Sequence, residues 1–151
     1  MIENAKFQLF EGPEHEPFQI KGGEAAALLV HGFPGTPAEV RPLARMLEGA
    51  GWTVHAPLLP GLGADLETLF DRTYTEWIAA IAEELQTLQA DQQPVILIGY
   101  SLGAAVALNV AATAAAPPHG LILLAPFWRL TLLAGWRRAL WPILRLIFRK
   151  A

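Results

Sequence analysis

Short uncharged apolar runs recur through this sequence, and between them apolar residues return every three or four positions. Ala25 to Val30, Trp52 to Ala56, Val95 to Gly99 and Leu121 to Ala125 have the length and composition of buried strands. Pro37 to Gly49, Tyr74 to Ala90 and Leu102 to Ala115 read as helices, the second with Trp77, Ile78, Ile81, Leu85 and Leu88 on one face. Thr36 is the expected N-cap of the first helix, with Pro37 at its first position and Glu39 completing a capping box. A short strand pair, Lys6 to Phe10 and Pro17 to Ile20, is expected at the start, around the turn residues Glu11-Gly12-Pro13-Glu14. Strands alternating with helices imply a parallel sheet, because parallel neighbours need crossover helices and those helices cover both faces. The fold class is α/β, mostly parallel, with helices on both faces of the sheet. Residues 1–128 are expected to form its core and 129–151 a separate amphipathic segment.

The 151 residues suffice for one domain that buries about two-thirds of its unfolded surface. Hydrophobic residues make up 53% of them, so a membrane span has to be considered. Residues 92–128 contain no Asp, Glu, Lys or Arg. Pro94, Gly99, Gly103, Asn109 and the Pro117-Pro118-His119-Gly120 turn nevertheless cut this run into pieces well short of the ~20 residues a spanning helix needs. The run is therefore read as a buried strand-helix-strand unit. The absence of cysteine excludes disulfides, thiolate metal sites and a cysteine nucleophile. Met1 to Phe10 has neither a basic start nor an apolar centre, so a cytoplasmic location is expected.

Between the run Val95-Ile96-Leu97-Ile98 and the alanine-rich helix lies Gly99-Tyr100-Ser101-Leu102-Gly103, a G-x-S-x-G turn in strand-turn-helix context. This context proposes Ser101 as a nucleophile, held on a sharp strained bend that leaves the flanking glycines no room for side chains. A tight turn without chemistry is the alternative. A second strand, Leu28-Leu29-Val30, runs into His31-Gly32-Phe33-Pro34-Gly35, so both glycine turns leave the carboxyl ends of parallel strands, where open α/β sheets bind ligands. Acyl transfer needs N–H donors aimed at the developing oxyanion, and the backbone amides of Phe33 and Leu102 are the candidates. His31, Gly32 and Tyr100 line the same loops.

These residues carry a resemblance. The turn His31 to Gly35, the proline-rich turn Pro57 to Gly63, the tryptophan of Thr75-Glu76-Trp77 and the turn Gly99 to Gly103 resemble, in order, the α/β-hydrolase superfamily. The closest pattern is that of its small bacterial carboxylesterases and monoacylglycerol-lipase-like members. The resemblance implies hydrolysis of a small acyl ester through an acyl-enzyme at Ser101, with no cofactor and no metal. Leu62 departs from it, standing where many members carry histidine. A larger departure is that the family's acid and histidine follow the serine. Here every acidic residue precedes Ser101 and the one later histidine, His119, lies just before the next strand. A helix of about 13 residues spans roughly 20 Å, which puts His119 at the opposite sheet edge.

The resemblance implies that His31 shapes the oxyanion loop, while His55 is expected to be a hydrogen-bonded core residue and His15 to lie in a polar turn without a partner. Asp65 and Asp71 read as solvated loop residues, and Asp91 belongs to the remote edge. The expectation is an N-terminal portion of a hydrolase, stopping before the last strands and nearly inactive alone, since a serine without its base is a poor nucleophile. A non-catalytic binding or scaffold protein of the same fold is the rival reading. Serine at position 101 argues against the branches that attack with aspartate.

All 14 acidic residues lie at or before Asp91, whereas six of the 11 basic ones lie after Phe127, within an overall charge of −3. From Leu130 onward, Arg138, Arg145 and Arg149 fall on one helical side and Leu133, Trp136, Leu140, Leu144 and Ile147 on the other, with Pro142 as a break. The resemblance implies a lid over an acyl pocket at this position; a helix at a membrane surface through residues 130–150 and an ordinary packed helix are the other two readings. Nucleic-acid binding is not expected, because six charges without a recognised module are weak grounds. The sheet order that the resemblance implies would leave the Leu121 to Ala125 strand at an unpaired edge, open to pairing with more chain or another subunit.

Overall fold

The computed structural model describes residue 10 and residues 12–126. Its elements, in chain order, are β1 (Phe18–Ile20), β2 (Ala26–Val30), α1 (Arg41–Gly49), β3 (Thr53–Ala56), α2 (Tyr74–Asp91), β4 (Val95–Tyr100), α3 (Leu102–Thr113) and β5 (Gly120–Leu124). Two 3₁₀ segments, Pro37–Val40 and Gly63–Asp71, lead into α1 and α2. The sheet order is β1-β3-β2-β4-β5. β3, β2, β4 and β5 run parallel, and β1 closes one side antiparallel to β3. At the other side β5 is the last strand among the described residues, with Ile122 and Leu124 exposed.

β2 lies at the centre and is buried along its whole length, as an uncharged AALLV run permits. Its two-residue period divides the core. Ala26, Leu28 and Val30 face one cluster with Ile81, Leu85 and Leu88 of α2 and Val106, Ala107 and Val110 of α3. Ala27 and Leu29 face the other, with Val40, Ala44, Val54 and Ile98. The sheet is thus covered on both faces, with α1 opposite α2 and α3.

Two local readings are corrected. Thr36 does cap the first helical segment, accepting from the Ala38 N–H at 3.4 Å, but Glu39 does not return to it; its carboxylate accepts the Gly32 N–H instead, at 2.9 Å. Helix geometry there begins as 3₁₀ and becomes α only at Arg41. The capping box belongs to α2, where the Thr73 side chain and backbone pair with Glu76. That backbone bond is also the main reason the Glu76 carboxyl titrates below the usual range. Of the expected opening strand pair, Phe18 to Ile20 of the second member forms β1, paired with β3; Phe10 lies in a turn at φ 65°, and residues 6–9 lie outside the described residues. The amphipathic stretch 130–151 lies outside them too. Among the described residues no helix is long and apolar enough to cross a membrane.

Candidate active site

β2 and β4 are parallel neighbours with Val30 opposite Gly99, so the segments that follow them emerge side by side at the carboxyl edge of the sheet. After β4 the chain bends sharply at Ser101, with φ 54° and ψ −115°, a conformation costly for a residue with a side chain. The bend is held from β5, whose Leu124 carbonyl accepts the Ser101 N–H at 2.9 Å. Glycine is required on both sides of it. A Cβ on Gly99 would strike the Gly103 carbonyl and the Ala104 backbone, and one on Gly103 would strike the carbonyls of Val30 and His31. The first turn of α3 is therefore pressed directly onto the ends of β2 and β4.

The turn after β2 closes against this bend. A Cβ on Gly32 would lie 3.1 Å from the Ser101 Cβ, so the two segments are in contact. Leu102 opens α3, and its N–H is one of those that a helix start leaves without an intrahelical acceptor. The half-buried Ser101 thus has a helix N-terminus on one side and Gly32 on the other. Phe33, Tyr100 and Leu124 are exposed, the last two as register partners next to the bend.

His31 is wholly buried, with both ring nitrogens occupied. Its Nε2 accepts the Leu59 N–H at 3.0 Å, which leaves the proton on Nδ1, and Nδ1 donates to the Gly32 carbonyl at 2.9 Å. Burial pushes the imidazole down to about 4, so it is neutral near pH 7. The Gly32 carbonyl and the Phe33 N–H belong to one planar peptide group, so fixing the oxygen fixes the direction of the amide. The loop that supplies Leu59 is anchored in turn: Leu59 and Leu62 are in the core, and Trp77 Nε1 donates to the Pro60 carbonyl at 2.8 Å. A leucine at position 62 is buried there as an ordinary core residue.

The other histidines are elsewhere. His119 Nδ1 accepts the Val95 N–H at 3.1 Å, at the start of β4, a strand length of roughly 17–20 Å from the Ser101 end. His55 faces Glu84 of α2 at 3.5 Å. His15 is not without a partner: its Nδ1 meets Thr36 Oγ1 at 2.8 Å and its Nε2 lies 3.6 Å from Glu14. Asp65 and Asp71 are exposed on the 3₁₀ segment, and Asp91 ends α2 at the far edge. What sequence reasoning missed is the position of Glu39, whose carboxylate occupies the inside of the Gly32 to Gly35 turn. The signal was available in the glycines, since Gly35 leaves room that a side chain there would take from that carboxylate.

The family model of the alpha/beta hydrolase family matches residues 27–150. The chain belongs to the alpha/beta hydrolase family. Among curated relatives, this alpha/beta hydrolase chain is 38% identical over 96 residues to the thermostable monoacylglycerol lipase of Bacillus sp. (strain H-257), covering 64% of this chain and 38% of the lipase. It is 35% identical over 99 residues to the carboxylesterase of Bacillus subtilis (strain 168), covering 65% and 40% respectively. The chain thus spans about two fifths of the length of these relatives. A solved structure from LipS and LipT, two metagenome-derived lipolytic enzymes, superposes with a TM-score of 0.73 at 28% identity, over 79% of this chain and 49% of that one. The monoacylglycerol lipase of Paleococcus ferrophilus shares the fold, with a TM-score of 0.60 at 22% identity, over 83% and 51%.

Proposed function

We propose that Ser101 is the nucleophile of a carboxylic-ester hydrolase and that the amides of Phe33 and Leu102 are its oxyanion donors. The observation that carries this reading is the strained backbone at Ser101, φ 54°, set against the Gly32 turn at the mouth of a helix. In this reading the Ser101 hydroxyl attacks the ester carbonyl. The carbonyl oxygen takes the negative charge between the two amides, the alcohol leaves with a proton, and water releases the acid from the acyl-serine. Esterase and lipase relatives support an ester substrate. The exposed, uncharged side chains of Phe33, Tyr100 and Leu124 support an uncharged acyl group.

The same reading makes this chain a slow catalyst on its own. All four histidines have positions, and none is bonded to Ser101: His31 is consumed by Leu59 and Gly32, and His119 sits at the far edge. Loss of one triad member typically costs several orders of magnitude in rate. Two assays decide the matter. An alkyl fluorophosphonate should label Ser101 slowly and stoichiometrically, with no label on Ser101→Ala, while a short-chain p-nitrophenyl ester should turn over barely above background. Labelling that persists in Ser101→Ala would remove the nucleophile assignment. Fast turnover by the chain alone would remove the account of the missing base.

A further inference from the structure

Glu39 is the acidic residue in the first turn of its helical segment, yet its carboxylate is turned to a backbone amide outside that segment. It stands on the 3₁₀ segment Pro37–Val40, whose Pro37 and Val40 are buried, so its backbone is firmly seated. From there the carboxylate reaches back seven residues and accepts the Gly32 N–H at 2.9 Å, a charge-assisted bond. It lies 3.3 Å from the point where a Gly32 Cβ would stand, and that point is 3.1 Å from the Ser101 Cβ. A Cβ on Gly35 would fall inside the carboxylate, so the turn is wrapped around it.

Gly32 is the hinge of this arrangement. Without a Cβ it rotates freely, and each of its two peptide planes needs an outside hold. His31 holds the plane on its carboxyl side, the one that contains the Phe33 N–H. Glu39 holds the other, through the Gly32 N–H. With the Glu39 hold released, the His31 bond alone is left to orient the Phe33 amide, and the glycine gains freedom about its own φ and ψ. Beyond these two holds the next residues, Phe33 and Pro34, are exposed.

We propose that Glu39 is a positioning residue, whose carboxylate oxygen locks Gly32 so that the Phe33 amide is aimed at the oxygen of an ester bound at Ser101. The proposal rests on the assignment of Ser101 and Phe33 made above. It requires the reach of the side chain and an acceptor oxygen, and it does not require the charge. Gln at position 39 keeps the reach and the acceptor, whereas Asp keeps the charge and loses one methylene of reach. Gly35→Ala leaves Glu39 in place chemically but displaces its flexible end from the turn.

The test uses the full chain and two readouts. The first is the hydrogen-exchange rate of the Gly32 amide by NMR. The second is the rate at which an alkyl fluorophosphonate phosphonylates Ser101 in mildly alkaline buffer, where the serine oxygen binds phosphorus, fluoride leaves and the serine proton goes to hydroxide. Circular dichroism confirms folding for each variant. Glu39→Ala, Glu39→Asp and Gly35→Ala should each accelerate Gly32 exchange and slow labelling by about tenfold or more, as small displacements of aligned groups do. Glu39→Gln should stay within about threefold of the parent in both. Parent-like exchange and labelling in Glu39→Ala overturn the proposal, as does a Gln variant as impaired as Ala. Failure of the parent chain to label at Ser101 overturns the nucleophile assignment instead, and the exchange rates still decide whether Glu39 holds the turn.

Discussion

Acidification should loosen the Ser101 region through one group, His31, and the magnitude follows from its burial. The imidazole is neutral in the folded chain, with its value down from 6.5 to about 4. In the unfolded chain it protonates near the ordinary 6.5. Between these two values the unfolded state holds one more proton than the folded state, so stability falls as the pH is lowered, by up to about 1.4 kcal/mol per pH unit. The His31 contribution is complete above pH 6.5 and is lost as the pH falls through about 4, a total of roughly 3 kcal/mol. Protonation would also set two donors against each other, because Nε2 faces the Leu59 N–H.

Urea unfolding followed by tryptophan fluorescence at half-unit steps from pH 7.5 to 4.0 measures this contribution. Carboxyl groups titrate in the same range, so the decisive quantity is the difference between the parent and His31→Gln, which cannot take up the proton. The variant should be the less stable at pH 7, having lost a buried pair of hydrogen bonds, and the gap should close as the pH falls. Parallel curves for the two proteins from pH 7 to 4 would refute the reasoning, since the imidazole would then titrate alike in both states.

Three further outcomes are expected. Ser101→Gly relieves the φ 54° backbone and should raise the urea midpoint, with a gain of about 1 kcal/mol, while abolishing fluorophosphonate labelling; a loss of stability would contradict the strain. Gly103→Ala drives a methyl group into the carbonyls of Val30 and His31 and should cost about 3 kcal/mol in chemical denaturation, against which an unchanged midpoint would count decisively. Trp77→Phe removes the donor to the Pro60 carbonyl and should cost about 1 kcal/mol, read by thermal melting, with faster proteolysis within residues 57–63.

The α/β architecture was legible because β2 and β4 are continuous uncharged runs and α2 shows an apolar stripe, and each of those signals has a single physical source. The contact between the two glycine turns was legible for the same reason: adjacent parallel strands ending in glycine have to deliver those turns to one edge. Thr36 and Glu39 are the instructive failure. Their spacing satisfies a capping box as fully as Thr73 and Glu76 do, and the pattern cannot say which orphan amide a carboxylate will choose. The choice is made in three dimensions. Gly32 brings a buried N–H within reach and Gly35 leaves the space, so Glu39 turns away from its own helix start, whereas Glu76 has no such competitor and caps α2.

His15 shows the same limit from the other side. Nothing in its neighbours along the sequence announces that it bonds Thr36 Oγ1, the hydroxyl that also accepts from Ala38. Arg41 explains how the loop comes to lie there: it donates to the carbonyls of Pro13, Glu14 and Glu16 and covers the Phe18 ring at 4.2 Å. A segment without regular structure is thereby fixed beside the helix start that carries Glu39. Local patterns located the strands and the strained serine; apart from the bond between the neighbours His31 and Gly32, the hydrogen bonds that steady the turn opposite it join residues 7 to 28 positions apart, and those depend on the assembled fold.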